Sequence, residues 1–170
     1  TVNLNLSQDV GALIGTGAHV TSGHNASVKA DSHFYVTSTT YASGGGGLSG
    51  VDSDTTANVN HSTHAEVGTS ASVVAAGNLD LRALAHFGGA WNDTGESGGF
   101  ATRPDVDSNL NMGGGSRQVT LVRIGAGATV YAEGIGQLLA QVGTDSNLEV
   151  HATAKAWGVL ADTNADAGIV

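Results

Sequence analysis

The chain has no cysteine and only one proline in 170 residues. Without cysteine there is neither a disulfide framework nor a thiolate-ligated zinc site. Aromatic residues are scarce, at 5%, which argues against a core built around large rings. Six Lys plus Arg against fifteen Asp plus Glu give a formal net charge of -9. Phosphate binding needs clustered cations, so nucleic acid is not an expected partner. No apolar run approaches the ~18 residues of a membrane helix, so membrane insertion is not expected. No signal peptide is recognisable either. Glycine is plentiful, at 26 residues, and a hydrophobic class of 40% is mostly Ala, Val and Leu. Such small side chains make a core only by stacking in thin layers.

Self-similarity organises the chain. Asp52-Ser53-Asp54 recurs as Asp107-Ser108-Asn109 and as Asp162-Thr163-Asn164, and Asn3-Leu4-Asn5 recurs as Asn58-Val59-Asn60, in steps of 55. Ile14 to Val20 matches Val67 to Val73 and then Ile124 to Val130, in steps of 53 and 57. Asn25 to Phe34 matches Asn78 to Phe87, with a looser copy from Asn147 to Trp157. The expectation is one domain over 1–170, made of three imperfect repeats of about 55 residues. Their approximate bounds are 4–58, 59–113 and 114–168.

Within the repeats, apolar and polar residues alternate, as in Val2-Leu4-Leu6, Ala71-Val73-Ala75, Leu79-Leu81-Ala83 and Ala128-Val130-Ala132. Period two marks strands with one buried face. The segments read as short, roughly four to six residues each, with Gly, Asn, Asp and Ser between them. Gly136 to Val142 is ambiguous and reads as a short apolar strand. No single repeat can bury its own small apolar face, whereas stacked copies can. The predicted fold is all-β, a parallel β-solenoid (β-helix) in which each repeat holds several short coils of roughly 18 to 20 residues. The Gly-rich stretches Tyr41–Gly50 and Gly88–Arg103 are expected as loops at one corner.

Three blocks, Gly17-Ala18-His19-Val20-Thr21-Ser22-Gly23, Ala71 to Ala83 and Gly127 to Gly134, each carry part of the rough pattern Gly-Ala-x-Val-x-Ala-Gly-Asn-Leu-x-Leu-x-Ala. They resemble the repeats of filamentous-haemagglutinin-like adhesins, large bacterial surface proteins. The resemblance implies a secreted, right-handed parallel β-solenoid serving as a stalk, adhesin or biofilm-matrix fibre at the cell surface. It transfers no catalytic residues, and the secretion domain that begins such proteins is not recognisable here.

Candidate chemistry is sparse. Asp52, Asp54, Asp107 and Asp162 stand at repeat markers. Carboxylates stacked at a corner suit calcium, which takes six to eight oxygen ligands; the same residues also serve as turn formers. His61 and His64 are three apart, so on a strand they face opposite sides and cannot chelate one ion. His33 and His86, each before Phe at equivalent positions, are predicted to stack, and a site of three imidazoles stays open. Otherwise the histidines read as surface residues. No Gly-x-Ser-x-Gly elbow appears in a strand-turn-helix setting, and no groove of carboxylates, basic groups and aromatics is evident, so an enzyme is not expected.

The N-terminal edge near Leu4 and the C-terminal edge near Ile169 fall in the same phase of the repeat, and neither carries a polar cap. The resulting expectation is an extracellular, non-enzymatic structural protein. Its partners are further copies stacked head to tail, neighbouring repeats of a longer chain, or a host or matrix glycan or protein receptor. The alternatives are a carbohydrate-binding or polysaccharide-cleaving solenoid and a calcium-binding β-roll; no other cofactor is implied.

Overall fold

The computed structural model describes residues 1–112 and 118–169, with the side chains of all of these but 144–147. The strands are β1 (Val2–Ile14), β2 (His19–Ser22), β3 (Ala26–Val67), β4 (Ser72–Ala75), β5 (Leu79–Met112), β6 (Val119–Ile124), β7 (Thr129–Ala132), β8 (Gly136–Trp157), β9 (Leu160–Ala161) and β10 (Asn164–Ile169). Among the described residues there is no helix, hence none long and apolar enough to cross a membrane. Every strand pairing is parallel. One sheet runs β1-β3-β5-β10, with β6 on β3 and with β8 and β9 on β5; a second, three-stranded sheet runs β2-β4-β7.

The register departs from the expected short coils. Val2 pairs with Thr55, and Ala26 with Leu79, a displacement of 53. It becomes 57 where Leu79 meets Gly136, and 59 where Asp105 meets Asn164. The strands therefore pair over one whole repeat, and the expected shorter coils do not stack. The Gly-rich stretches are not loops either: Tyr41–Gly50 lies within β3 and Gly88–Arg103 within β5. Glycine is a poor strand former alone, but here the neighbouring strand supplies the ladder bonds. Gly136–Val142, at the start of β8, is the stretch that pairs with Leu79–Ala85. The looser copy that begins at Asn147, outside the side chains described, pairs further along, with Leu148 against Gly89. The boundary at 113/114 lies outside the described residues.

The sheet is curled, because the long strands fold back on themselves. Within β3, Ser32 hydrogen-bonds both His61 and Thr63, and Thr40 bonds Thr55. Alternation then puts every second residue inside. The C-terminal part of β3 alternates buried and half-buried without a break, as does most of β5. Two apolar clusters result. Val67, Ala71, Val73, Ala75, Leu79 and Leu81 pack beside the short three-stranded sheet. Ala57, Val59, Ala85, Phe87, Trp91 and Leu110 fill the space between the long halves. Large rings do enter this core, contrary to the expectation from composition: Trp91 is 1% exposed, and Phe34 lies 6.0 Å from Phe87 between ring centres. Parallel stacking lets one or two rings span a gap that Ala and Val leave open.

The corners need particular residues. Gly17, Ser70 and Gly127 all have positive φ, near 69°, 55° and 68°. A left-handed conformation costs a residue with a Cβ roughly 1–2 kcal/mol. Gly68 and Gly125 lie directly over main chain: a Cβ on Gly68 would stand 2.7 Å from the Thr16 nitrogen, and one on Gly125 would stand 2.6 Å from the Thr69 nitrogen. Corner asparagines add a second lock. The Asn78 N–H donates to Asn25 Oδ1 at 2.8 Å, and the Ile135 N–H to Asn78 Oδ1 at 2.9 Å. Ser70→Gly should raise stability by about 1 kcal/mol. Gly68→Ala should lower it by about 1–3 kcal/mol, because backbone must shift to admit the methyl. Urea unfolding followed by circular dichroism checks both.

Candidate functional site

Parallel register turns sequence spacing into surface columns. On one outward face, residues two apart along a strand lie ~6.6 Å from each other, and the counterpart on the next strand lies ~4.8 Å away. Thr1 stands opposite Asp54 and its hydroxyl bonds that carboxylate at 3.2 Å. Asp54 pairs with Asp107, and Asp107 with Asp166. Beside this column Asp52 pairs with Asp105, and Asp105 with Asn164. The Asn164 amide donates to Asp105 Oδ1 at 2.9 Å. Beyond Thr56 on the same face, the Asn58 amide donates to Asn5 at 3.0 Å and the Asn111 amide to Asn58 at 3.1 Å.

Of the four aspartates expected at a calcium site, Asp54 and Asp107 are direct neighbours, and Asp52 is next to them through Asp105. Asp162 is elsewhere: its N–H donates to the Thr102 carbonyl at 3.0 Å, and its carboxylate lies 4.0 Å from Arg103. The step of 55 that links these aspartates in the sequence differs from the pairing step by an even number, so it keeps the face and misses the column. Asp105 and Asp166 belong to the face, although the repeat markers do not show them. The columns set charge over like charge. Burial, then Asp105, Asp54, Asp166 and Asp52, push the Asp107 carboxyl above its usual range. Among the described residues no three of these carboxylates bring their oxygens together as a metal site would, but the face can take up protons.

The histidines divide by face. His61 points inward, is 3% exposed and bonds Ser32 at 2.7 Å and Thr63 at 2.9 Å. Its ring meets Phe87 edge-on, 4.8 Å between centres. It is a core residue, not the surface residue expected. Burial holds its pKa below the usual 6.5. His64 points the other way, 3.5 Å from Asp9, so the pair does not chelate, as alternation requires.

The expected stack of His33 and His86 is present: ring centres 4.7 Å apart, planes within 7°. Asp31, two residues before His33 on the same face, joins them. Its Oδ1 lies 3.4 Å from His33 Nε2 and 3.7 Å from His86 Nε2. Its other oxygen is 2.9 Å from Lys29 Nζ. The hydrogen bond from Lys29 holds the Asp31 carboxyl below its usual range. One ligand atom from each of Asp31, His33 and His86 falls within 4.8 Å of the others, and this is the one such group of three or more His, Cys, Asp or Glu among the described residues. Two imidazoles and a carboxylate thus replace the three imidazoles left open by the sequence.

Sequence reasoning also misses an inner polar tract toward the Gly-rich bend. Ser53 donates to Asp93 Oδ1 at 2.5 Å, and Ser49 bonds Ser97 at 2.6 Å. Asp93 is 1% exposed. Comparison with protein-family models, curated proteins and solved structures finds no match for the chain.

Two solution tests follow from these groups. For Asp107, a raised pKa means that the folded state holds its proton more tightly than the unfolded chain. Stability from this group is therefore present below its ordinary pKa of 3.8 and is lost as pH rises through the raised value. Asp107→Asn should raise stability at pH 7 by roughly 0.5 kcal/mol, or about 1–2 °C in Tm, and not at pH 3; calorimetry at both pH values measures it. For His61 the sign is opposite. A lowered pKa makes the folded state resist protonation, so stability falls as pH drops below about 6.5. That fall should be smaller in His61→Gln, read by thermal melts from pH 7.5 to 5.5.

Proposed function

We propose that the chain is a structural β-solenoid, an element of an extracellular fibre or adhesin stalk, whose two ends are covered by more of the same structure. The observation that carries this is the uneven burial of equivalent inward columns. Leu81 is 1% exposed, but Leu138, its partner above, is 55% exposed. Val73 is 0% exposed, but Val20 below it is 37%. Val67 is 0% exposed and Ile124 above it 42%. The positions have the same chemistry, and only the presence of a neighbour on both sides separates buried from bare. Among the described residues, Phe100 is the one large exposed apolar side chain of the middle stretch, 55–110; the rest lie in the stretches that pair on one side.

Open parallel edges also leave rows of N–H and C=O groups ready to take another strand. A further level of the same sequence pattern satisfies both the edge bonds and the bare columns. It is supplied by a second copy stacked head to tail, or by neighbouring repeats of a longer chain. A head-to-tail contact does not close on itself, so it makes a fibre. The outer Asp columns, with a net charge of -9, repel sideways association. The likeness of the Gly-Ala-x-Val blocks to haemagglutinin-type repeats supports the same reading, with a glycan or protein receptor at the fibre's surface.

Negative-stain electron microscopy of the purified chain should show long unbranched filaments, and fibre diffraction a spacing of about 4.7–4.8 Å along the axis. Leu138→Lys, which puts a charge on one bare column, should shorten or abolish them. Monodisperse particles at high concentration, unchanged by Leu138→Lys, would overturn assembly by copies of this chain.

A further inference from the structure

The cluster of Asp31, His33 and His86 is independent of whether the ends assemble, and its geometry has a requirement of its own. Both Nε2 atoms point at the same oxygen, Asp31 Oδ1, from 3.4 Å and 3.7 Å. These separations exceed the usual length of a charge-assisted hydrogen bond, about 2.7–2.9 Å. They lie near the distance between neighbouring ligand atoms around a tetrahedral zinc ion, which bonds of about 2.0–2.1 Å place at about 3.3 Å. Lys29 holds Asp31 Oδ2 at 2.9 Å, so the carboxylate is turned with Oδ1 toward the rings. The face is half-exposed, with 29% of the His86 and 60% of the His33 side chain open, so an ion can enter and keep water as a fourth ligand.

We propose that Asp31 Oδ1, His33 Nε2 and His86 Nε2 bind one divalent transition-metal ion of the zinc type, which clips strand β3 to strand β5. Imidazole and carboxylate together suit zinc and its neighbours in the first transition row. Calcium takes oxygen ligands alone, so the site discriminates against it. The stacked rings are within 7° of parallel, and they must splay for both lone pairs to converge on the ion. Its effect is mechanical: two ligands lie on one strand and the third lies on the strand paired beside it.

The test uses the tag-free chain, stripped with a chelator and titrated with zinc chloride by calorimetry. NMR of the histidine ring protons runs in parallel. The expected result is one zinc ion per chain, with the His33 and His86 signals moving and those of His19, His24 and His151 unchanged. Calcium chloride should move none of them. His33→Ala and His86→Ala should each weaken zinc binding at least about tenfold, and Asp31→Asn should weaken it too, while His151→Ala leaves it unchanged. Zinc should also slow amide exchange in 28–36 of the wild type but not of His86→Ala. Unchanged affinity in the His33→Ala/His86→Ala double variant overturns the proposal. So does movement of the other histidines alone, or no binding at millimolar zinc. Should a variant fail to fold, the wild-type NMR map decides.

Discussion

Parallel pairing over one whole repeat, at displacements from 53 to 59, is the constraint on which the rest of the structure depends. It sets each side chain beside its counterpart on the next strand, about 4.8 Å away. Every column therefore has to tolerate its own repetition. Asparagine does so well, since an amide both donates and accepts: Asn5, Asn58 and Asn111 form a continuous amide ladder. Phenylalanine also does so, as Phe34 and Phe87 show by tilting 50° against each other. Aspartate does so badly, and the raised pKa of Asp107 is the direct consequence. Glycine at the corner is needed because the next main chain passes too close for a Cβ.

The same constraint explains why the interior changes character along its length. Next to the three-stranded sheet the columns are Ala, Val and Leu, and the packing is apolar throughout. In the middle a few rings fill the wider gap between the two halves of the long strands. Toward the Gly-rich bend Ser, Thr and Asp join Val106 and Pro104 on the inward face, and some of them bond each other across the gap, as Ser53 does with Asp93 and Thr40 with Thr55. Buried polar groups demand partners, so hydrogen bonds add to the packing at this end where the other relies on apolar contact. His61 belongs to a polar layer between the two apolar clusters: its ring meets Phe87 and its Nε2 bonds Ser32 and Thr63.

Much of this is legible in the sequence, and the part that is not has a definite cause. Alternation assigns faces correctly, which is why it sets His61 and His64 on opposite sides and matches His33 to His86. It does not set the column, because a slip by an even number of residues leaves every side chain on its proper face. The marker step of 55 falls between the true steps of 53 and 57, so the sequence matches Asp52 to Asp107 when its neighbour is Asp105. Glycine misleads by its usual habits. Tyr41–Gly50 has the composition of a loop, yet it lies inside β3 because Gly98 and its neighbours in β5 supply the ladder bonds. The short coil rests on analogy with other repeats, and no spacing in this chain requires it. Asp31 is inconspicuous because a ligand set split between two strands is visible only once the register is known.

A ladder of equivalents also has no intrinsic end. Within the stretch that pairs on both sides, Val59, Val67 and Leu81 are all within 1% of full burial, and nothing in their chemistry distinguishes them from the bare Ile124 or Leu138. Termination of such a stack requires a change of residue type: a charge on the inward column, a proline at the edge, or an element laid across it. The described residues show none of these at Leu138, Val20 or Ile124. Burying an apolar side chain contributes roughly 1.5–3 kcal/mol, and each new level buries one on every inward column. Addition of a level therefore gains about as much as the level before it. In the proposed fibre, a further level would therefore be held by the same pairing and burial that hold one level on the next.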